Sequence, residues 1–169
     1  MERLKNLIKH LATIHLKLGH REYAPHFAYL NDEKDMLLPS QMRFPFVLFG
    51  HGGYQVLEGE EVRRWNVVLS VQTHVSDTGD EREKNCAMNM CGSILDDLLS
   101  RMTSAATKME NAWARGIDLA EAVGMPIENK DEALYGWVIE FTVSLPWCRK
   151  VNDVWEDLTN GVNPLGYEK

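Results

Sequence analysis

At 169 residues, 44% hydrophobic and 25% charged, with 12 Gly and 6 Pro, the chain is too apolar for a disordered tail and too poor in Gly and Pro for a fibre. One domain is expected, burying roughly 70% of its unfolded surface without metal or disulfide staples. A net charge of −7 and a pI near 5.4 argue against a surface given over to phosphate backbone, because clustered Lys and Arg supply most nucleic-acid affinity.

Leu4, Leu7, Ile8, Leu11, Ile14, His15 and Leu18 recur at helical spacing, and Gly19 stands where a left-handed cap is wanted. A helix over residues 2–18 is predicted, with His15 on its apolar stripe as a partly buried, hydrogen-bonded side chain. Arg3, Lys5, Lys9, Lys17 and Arg21 face only Glu2 in charge, which suits the solvated side of that helix or docking on an acidic partner. From Gly19 to Arg43 the periodicity breaks around Pro25, Pro39 and the run Asn31-Asp32-Glu33-Lys34-Asp35, so a long connection across the domain surface is predicted, held by Tyr23, Phe27 and Tyr29.

Phe44-Pro45-Phe46-Val47-Leu48-Phe49 reads as a strand with Pro45 at its start, ended by Gly50-His51-Gly52-Gly53. The clearest alternation runs from Arg64 to Val75. There Trp65, Val67, Leu69, Val71, Thr73 and Val75 share one face, and Asn66, Val68, Ser70, Gln72 and His74 the other. Tyr54, Val56 and Val62 extend the pattern backwards around Gly59, which predicts a shorter strand paired to this one as a hairpin.

Ser76-Asp77-Thr78-Gly79-Asp80 is turn and N-cap chemistry, with Glu81 and Glu83 favouring the positive end of a helix. The helix that follows has Ala87, Cys91, Ile94, Leu95, Leu98, Leu99 and Met102 as its apolar stripe. Residues 103–133 read ambiguously: Ala105, Ala106, Met109 and Ala112 favour more helix, whereas Gly116, Gly124 and Pro126 punctuate an irregular or short-stranded stretch over 117–127. Leu134 to Leu145 alternates as a strand that Pro146 ends. Residues 149–169 read as a peripheral tail with turns at Asn160-Gly161 and Asn163-Pro164, in which Val151, Val154, Trp155 and Leu158 match one short helix.

Cys86, Cys91 and Cys148 are odd in number, and Lys9, His15 and Lys17 interrupt the first apolar segment without a small-residue cleavage site after it, so a reducing cytoplasm is expected. No run of about 18 apolar residues is present, so no membrane span is expected. Cys86 lies about two turns into its helix, too deep for the dipole to stabilise a thiolate.

Gly50-His51-Gly52-Gly53 is superficially like an esterase oxyanion loop, but no G-x-S-x-G accompanies it, and Gly92-Ser93 sits within a helical stripe. The histidines His10, His15 and His20 are five apart, as are Cys86 and Cys91, which does not stack ligands on one helical face. Neither C-x-x-C, H-E-x-x-H, G-x-x-x-x-G-K-[ST] nor G-x-G-x-x-G occurs, so neither metal nor cofactor is expected. Asp96-Asp97 and Glu60-Glu61 are sequence neighbours that point apart, as solvated charge. Of the tryptophans, Trp65 and Trp137 suit the core or a sheet face, and Trp147 and Trp155 an interface.

The order of these segments resembles the tail terminator, or tail-completion and head-tail joining, proteins of long-tailed bacteriophages and prophages. It comprises an amphipathic first helix, a long excursion, the Phe44-Pro45-Phe46-Val47 strand, a long strand running into Ser76-Asp77-Thr78-Gly79-Asp80 and a helix, and a last strand ending Ser144-Leu145-Pro146. The resemblance covers roughly residues 1–146, and its force lies in the order rather than in any one motif. The fold expected is α+β, a mainly antiparallel sheet of about four strands packed against the N-terminal and central helices, with residues 1–148 as one domain.

The resemblance implies a non-enzymatic subunit that closes with copies of itself into a ring, usually a hexamer. Such a ring caps the tail tube and presents a surface to the head connector, in the host bacterial cytoplasm during assembly and then in the virion. It implies no sequence-specific nucleic acid and no membrane. Ring closure calls for charged lateral surfaces, and Glu60, Arg63, Arg64, Asp77, Asp80, Arg82, Trp147 and Trp155 are the candidate interface residues. The excursion over 19–43, the 103–133 stretch and the tail depart from the family. Two rivals stand: an α+β module that binds a small ligand or a protein, and an enzyme assembled from His51, His74, Cys86 and Asp77.

Overall fold

The computed structural model describes residues 1–18, 25–31, 43–57, 62–105 and 114–146. Its elements are α1 (Glu2–Ile14), β1 (Phe27–Tyr29), β2 (Phe46–Leu57), β3 (Val62–His74), α2 (Glu81–Ala105), β4 (Ile117–Asn129) and β5 (Leu134–Pro146). The strands form one sheet in the order β1-β2-β3-β5-β4, antiparallel except for the β1–β2 pair. The fold is therefore α+β, with five strands where about four were expected. The predicted tail over 149–169, and the predicted extra helix around Ala106, Met109 and Ala112, lie outside the described residues.

Both helices pack on one face of the sheet, α1 against β1 and β2 and α2 against β3 and β5. Alternation makes this arrangement favourable. Val67, Leu69 and Val71 of β3 face the same way as Val47 and Phe49 of β2 and Ile139, Phe141 and Val143 of β5, and all are buried. Leu4, Ile8, Leu11 and Ala12 of α1 close over them, as do Cys91, Ile94, Leu95, Leu98 and Met102 of α2. Each fully buried Leu, Ile, Val or Phe contributes about 1.5–3 kcal/mol.

Helix α1 stops at Ile14, four residues before the predicted end. His15 is extended, at φ −71° and ψ 126°. Its Nδ1 accepts the Lys17 N–H at 3.2 Å, and its Nε2 lies 3.3 Å from Asp97 of α2. That tautomer, with the proton on Nε2, fits a backbone that has already left the helix, and it ties α1 to α2. Leu18 is still buried, so the apolar spacing that suggested a longer helix is met by a turn instead.

The excursion contains a strand that the sequence reading missed. Val47 N–H donates to His26 O and Leu30 N–H to Phe49 O, both at 2.8 Å. Past the end of β1, Asn31 takes the place of backbone: its Oδ1 accepts the His51 N–H at 2.7 Å and its Nδ2 donates to the His51 carbonyl at 2.8 Å. Three buried residues pinned on a neighbouring strand are too few to show alternation.

The glycines at 50–53 do not end a strand. β2 runs through them to Leu57, with a bulge between His51 and Tyr54 that absorbs one residue. The predicted hairpin is present as the far half of β2 against β3.

At the other end of β3, Asp80 caps α2 as expected: its Oδ1 accepts the Arg82 N–H at 2.8 Å and the Glu83 N–H at 3.3 Å. Glu83 reaches back to accept from Ser76 and Asp77 N–H at 2.8 and 3.1 Å, and those bonds hold its carboxyl below the ordinary range.

The ambiguous stretch holds the thirteen-residue strand β4. A short-stranded stretch was one alternative over 117–127; the strand is longer, and its signal is weak because it is an edge strand with no fully buried position, a bulge between Asp118 and Val123, and Pro126 within it. These are the features that keep an open edge from pairing. In the turn to β5, Ala133 has φ 51°, a left-handed conformation costing an L-residue roughly 1–2 kcal/mol. Offset by the greater freedom of an unfolded glycine, Ala133→Gly is expected to stabilise by about 0.5–1 kcal/mol. Thermal unfolding checks this as a rise of roughly 2–3 °C.

Candidate interaction surface

The far half of the β2–β3 hairpin continues the helix-bearing face of the sheet. Tyr54 pairs with Trp65 and Val56 with Arg63, so all four side chains share that face. Tyr54 and Trp65 rings meet at 4.6 Å, and the His51 ring stands edge-on to Trp65 at 4.9 Å. His51 continues to Tyr29 at 5.9 Å, and Tyr29 stacks on buried Phe49 at 5.3 Å. A cation closes each end: Lys5 Nζ lies 4.8 Å from the Tyr29 centroid and Arg63 Cζ 4.6 Å from that of Tyr54. This is a continuous aromatic ladder, rooted in the core at Phe49 and emerging at Tyr54 and Val56, which are 45% and 43% exposed.

The opposite face of the sheet carries no helix among the described residues. By alternation it presents Asn66, Val68, Gln72 and His74 of β3 and Val138, Glu140 and Thr142 of β5. An open cleft of about 290 Å³ crosses β3, β5 and β4 there, with Val68 and Val123 among Asp118, Glu121 and Glu140. Val123 is 58% exposed and Met125, further along the edge strand, 41%. A second cleft, of about 420 Å³, lies between the end of α1 and α2, lined by Leu11, Ile14, Leu98 and Arg101 beside the His15–Asp97 pair.

The predicted interface residues divide between the two ends of β3. Arg63 belongs to the ladder, and Arg64, its exposed neighbour, projects from the other face. Asp77, Asp80 and Arg82 lie beyond His74, roughly 35 Å away at the rise of an extended strand. Asp77 and Asp80 are engaged locally, Asp77 Oδ1 accepting the Gly79 N–H at 2.8 Å and Asp80 capping α2. They shape a turn, which accounts for their residue types. Glu60, Trp147 and Trp155 lie outside the described residues.

The residues an enzyme would have used are dispersed. His51 pairs with Val67, seven residues along β3 from His74, a separation of roughly 23 Å, and the two side chains leave opposite faces. Cys86 is exposed on α2. Cys91 is buried, its thiol pushed up to about 12 by desolvation, and its Sγ lies 3.7 Å from the Tyr135 carbonyl. It is a core residue held as a thiol. Among the described residues no three His, Cys, Asp or Glu side chains gather as a metal site would require, and no helix is long and apolar enough to cross a membrane.

The ladder was not singled out from the sequence, although a signal existed. Folding the hairpin about Gly59 and Glu60 sets Tyr54 opposite Trp65 and Val56 opposite Arg63. The bulge and the partnership of His51 with β1 had no such signal. Trp137 serves the core as expected: its indole N–H donates to the Met88 carbonyl at 3.1 Å. Neither a protein-family model nor a curated protein matches the chain.

Proposed function

We propose that this chain is a structural subunit of a bacteriophage or prophage tail, similar to a tail terminator. It would act by closing with copies of itself into a ring whose faces meet the tail-tube and head-connector proteins. The observation that carries the reading is the exposed end of the aromatic ladder. Tyr54 and Trp65 beside Arg63 are residue types enriched at protein interfaces, and the exposed Val56 stands with them at the end of the sheet where β2 turns back into β3. The order of an N-terminal helix, a long strand pair, a central helix and a last strand is what carries the resemblance, and β4 lies in the 103–133 stretch that departs from the family. On this reading the protein has no catalytic role.

The rival reading, a module for a small ligand, is favoured by the cleft between α1 and α2, whose volume is within the range of ligand pockets. Solution mass separates the two. Light scattering across protein concentration should give roughly six times 19.3 kDa, or a monomer that assembles on adding tail-tube protein. A monomer that ignores both concentration and tube protein contradicts the ring and directs the search to the α1–α2 cleft.

A further inference from the structure

We infer that the cleft between the end of α1 and α2 binds a small apolar anion, a hydrocarbon or aryl body that carries one carboxylate. The site lies apart from the aromatic ladder and stands whether or not the chain closes into a ring.

The cleft is apolar from its base to its rim. Leu11 and Leu98 are buried at the base, whereas Ile14 is 59% exposed and Leu16 fully so. The exposure of Leu16 follows from where α1 stops. The backbone is extended at His15, and His15 Nδ1 holds the Lys17 N–H, so that Leu18 returns to the core while Leu16 faces water beside the cleft. Four apolar side chains therefore share one concavity of about 420 Å³, and a hydrocarbon body laid on them takes their surface out of water.

The charges select the polar end of the ligand. The cleft holds one carboxylate, Asp97, which accepts from His15 Nε2 at 3.3 Å, and two cations, Lys17 and Arg101. Both cations are exposed, and among the described residues neither side chain has an ion pair or lies over a ring. An acid group in the cleft meets that excess of positive charge, and Arg101 can offer a carboxylate two parallel N–H donors. A neutral ligand gains nothing from either cation. Size argues against a docked helix. From Asp97 to Arg101 the α2 wall runs about 6 Å, whereas a helix anchored through positions i, i+3, i+4 and i+7 needs about 10 Å. The volume is that of a small-molecule site.

Octanoate and 1-octanol, titrated calorimetrically into the full chain, test this. Octanoate should bind about tenfold more tightly than 1-octanol, and added salt should weaken octanoate alone. Lys17→Ala and Arg101→Ala, each shown to be folded by far-UV circular dichroism, should weaken octanoate about threefold to fivefold apiece and leave 1-octanol unchanged. Ile14→Ser should weaken both probes. Bound octanoate should slow amide exchange at residues 11–18 and 97–101. Octanoate that fails to bind in the millimolar range, that binds no better than 1-octanol, or that binds the Lys17→Ala/Arg101→Ala double variant as tightly as wild type would overturn the inference, as would protection confined to other segments. Protection of residues 11–18 and 97–101 that rises with protein concentration in the absence of octanoate would place a second copy in the cleft and overturn it as well. Octanoate affinity and solution mass are separate readouts, so failure of this site and failure of the ring are distinguishable.

Discussion

Gly136→Ala should cost the fold about 3 kcal/mol or more, at the top of the usual overpacking range and a large share of the roughly 5–15 kcal/mol that holds a typical domain together. Gly136 lies in β5 opposite Gln72 of β3. A methyl group there would sit 2.0 Å from the Val71 carbonyl oxygen and 2.8 Å from Gln72 Cα, both backbone atoms of the central strand. A flexible side chain could swing away, but β3 is fixed between β2 and β5 over most of its length. Relief requires parting β5 from β3, which breaks ladder hydrogen bonds and lifts Ile139 and Phe141 out of the core. Gly124→Ala in β4 has open space around it and is the control, expected within about 1 kcal/mol of wild type. Urea unfolding of the two variants measures the difference.

Phe49→Ala is expected to cost about 3–5 kcal/mol by cavity formation in the same core. Phe49 is fully buried, carries the stack of Tyr29, and accepts the Leu30 N–H through its carbonyl. Removing the ring takes the support from β1, which has only three residues to hold it, and from the inner end of the aromatic ladder. The variant should therefore unfold at lower urea and also lose self-association. Val56→Ala makes the contrast: its side chain is 43% exposed, so stability should change by less than about 0.5 kcal/mol while association falls. A Val56→Ala protein as destabilised as Phe49→Ala would mean that this end of the hairpin is part of the core.

The elements with one wet and one buried face were legible in the sequence. The alternation of Trp65, Val67, Leu69, Val71, Thr73 and Val75 placed β3 and its buried side within a residue or two, and that of Leu134 to Leu145 placed β5 with its end at Pro146. The stripe from Ala87 to Met102 marked α2, and Asp80 marked its start. What escaped had its local signal overridden by tertiary pairing. Glycines at 52 and 53 read as a stop, yet they form the bulge in β2, and pairing with β3 resumes at Tyr54. Pro126 and Gly124 read as punctuation, yet an edge strand tolerates both. At His15 the side chain's bonds to Lys17 and Asp97 coincide with a helix end that apolar spacing placed farther on.

The candidate interaction surface was legible only in part for the same reason. Charge pointed to Arg63 and Arg64, and also to Asp77 and Asp80, whose carboxylates turn out to build a turn and a helix cap. The cleft needed Asp118 and Glu121 of β4 beside Glu140 of β5, an arrangement visible only once the β4 bulge is known.

Imaging the purified protein by negative-stain electron microscopy, alone and with tail-tube protein, tests the ring most directly. Class averages showing annular particles with rotational symmetry and a central opening are the predicted result. Compact particles the size of one 19.3 kDa chain, or closed two-fold dimers without an opening, in both samples would contradict it.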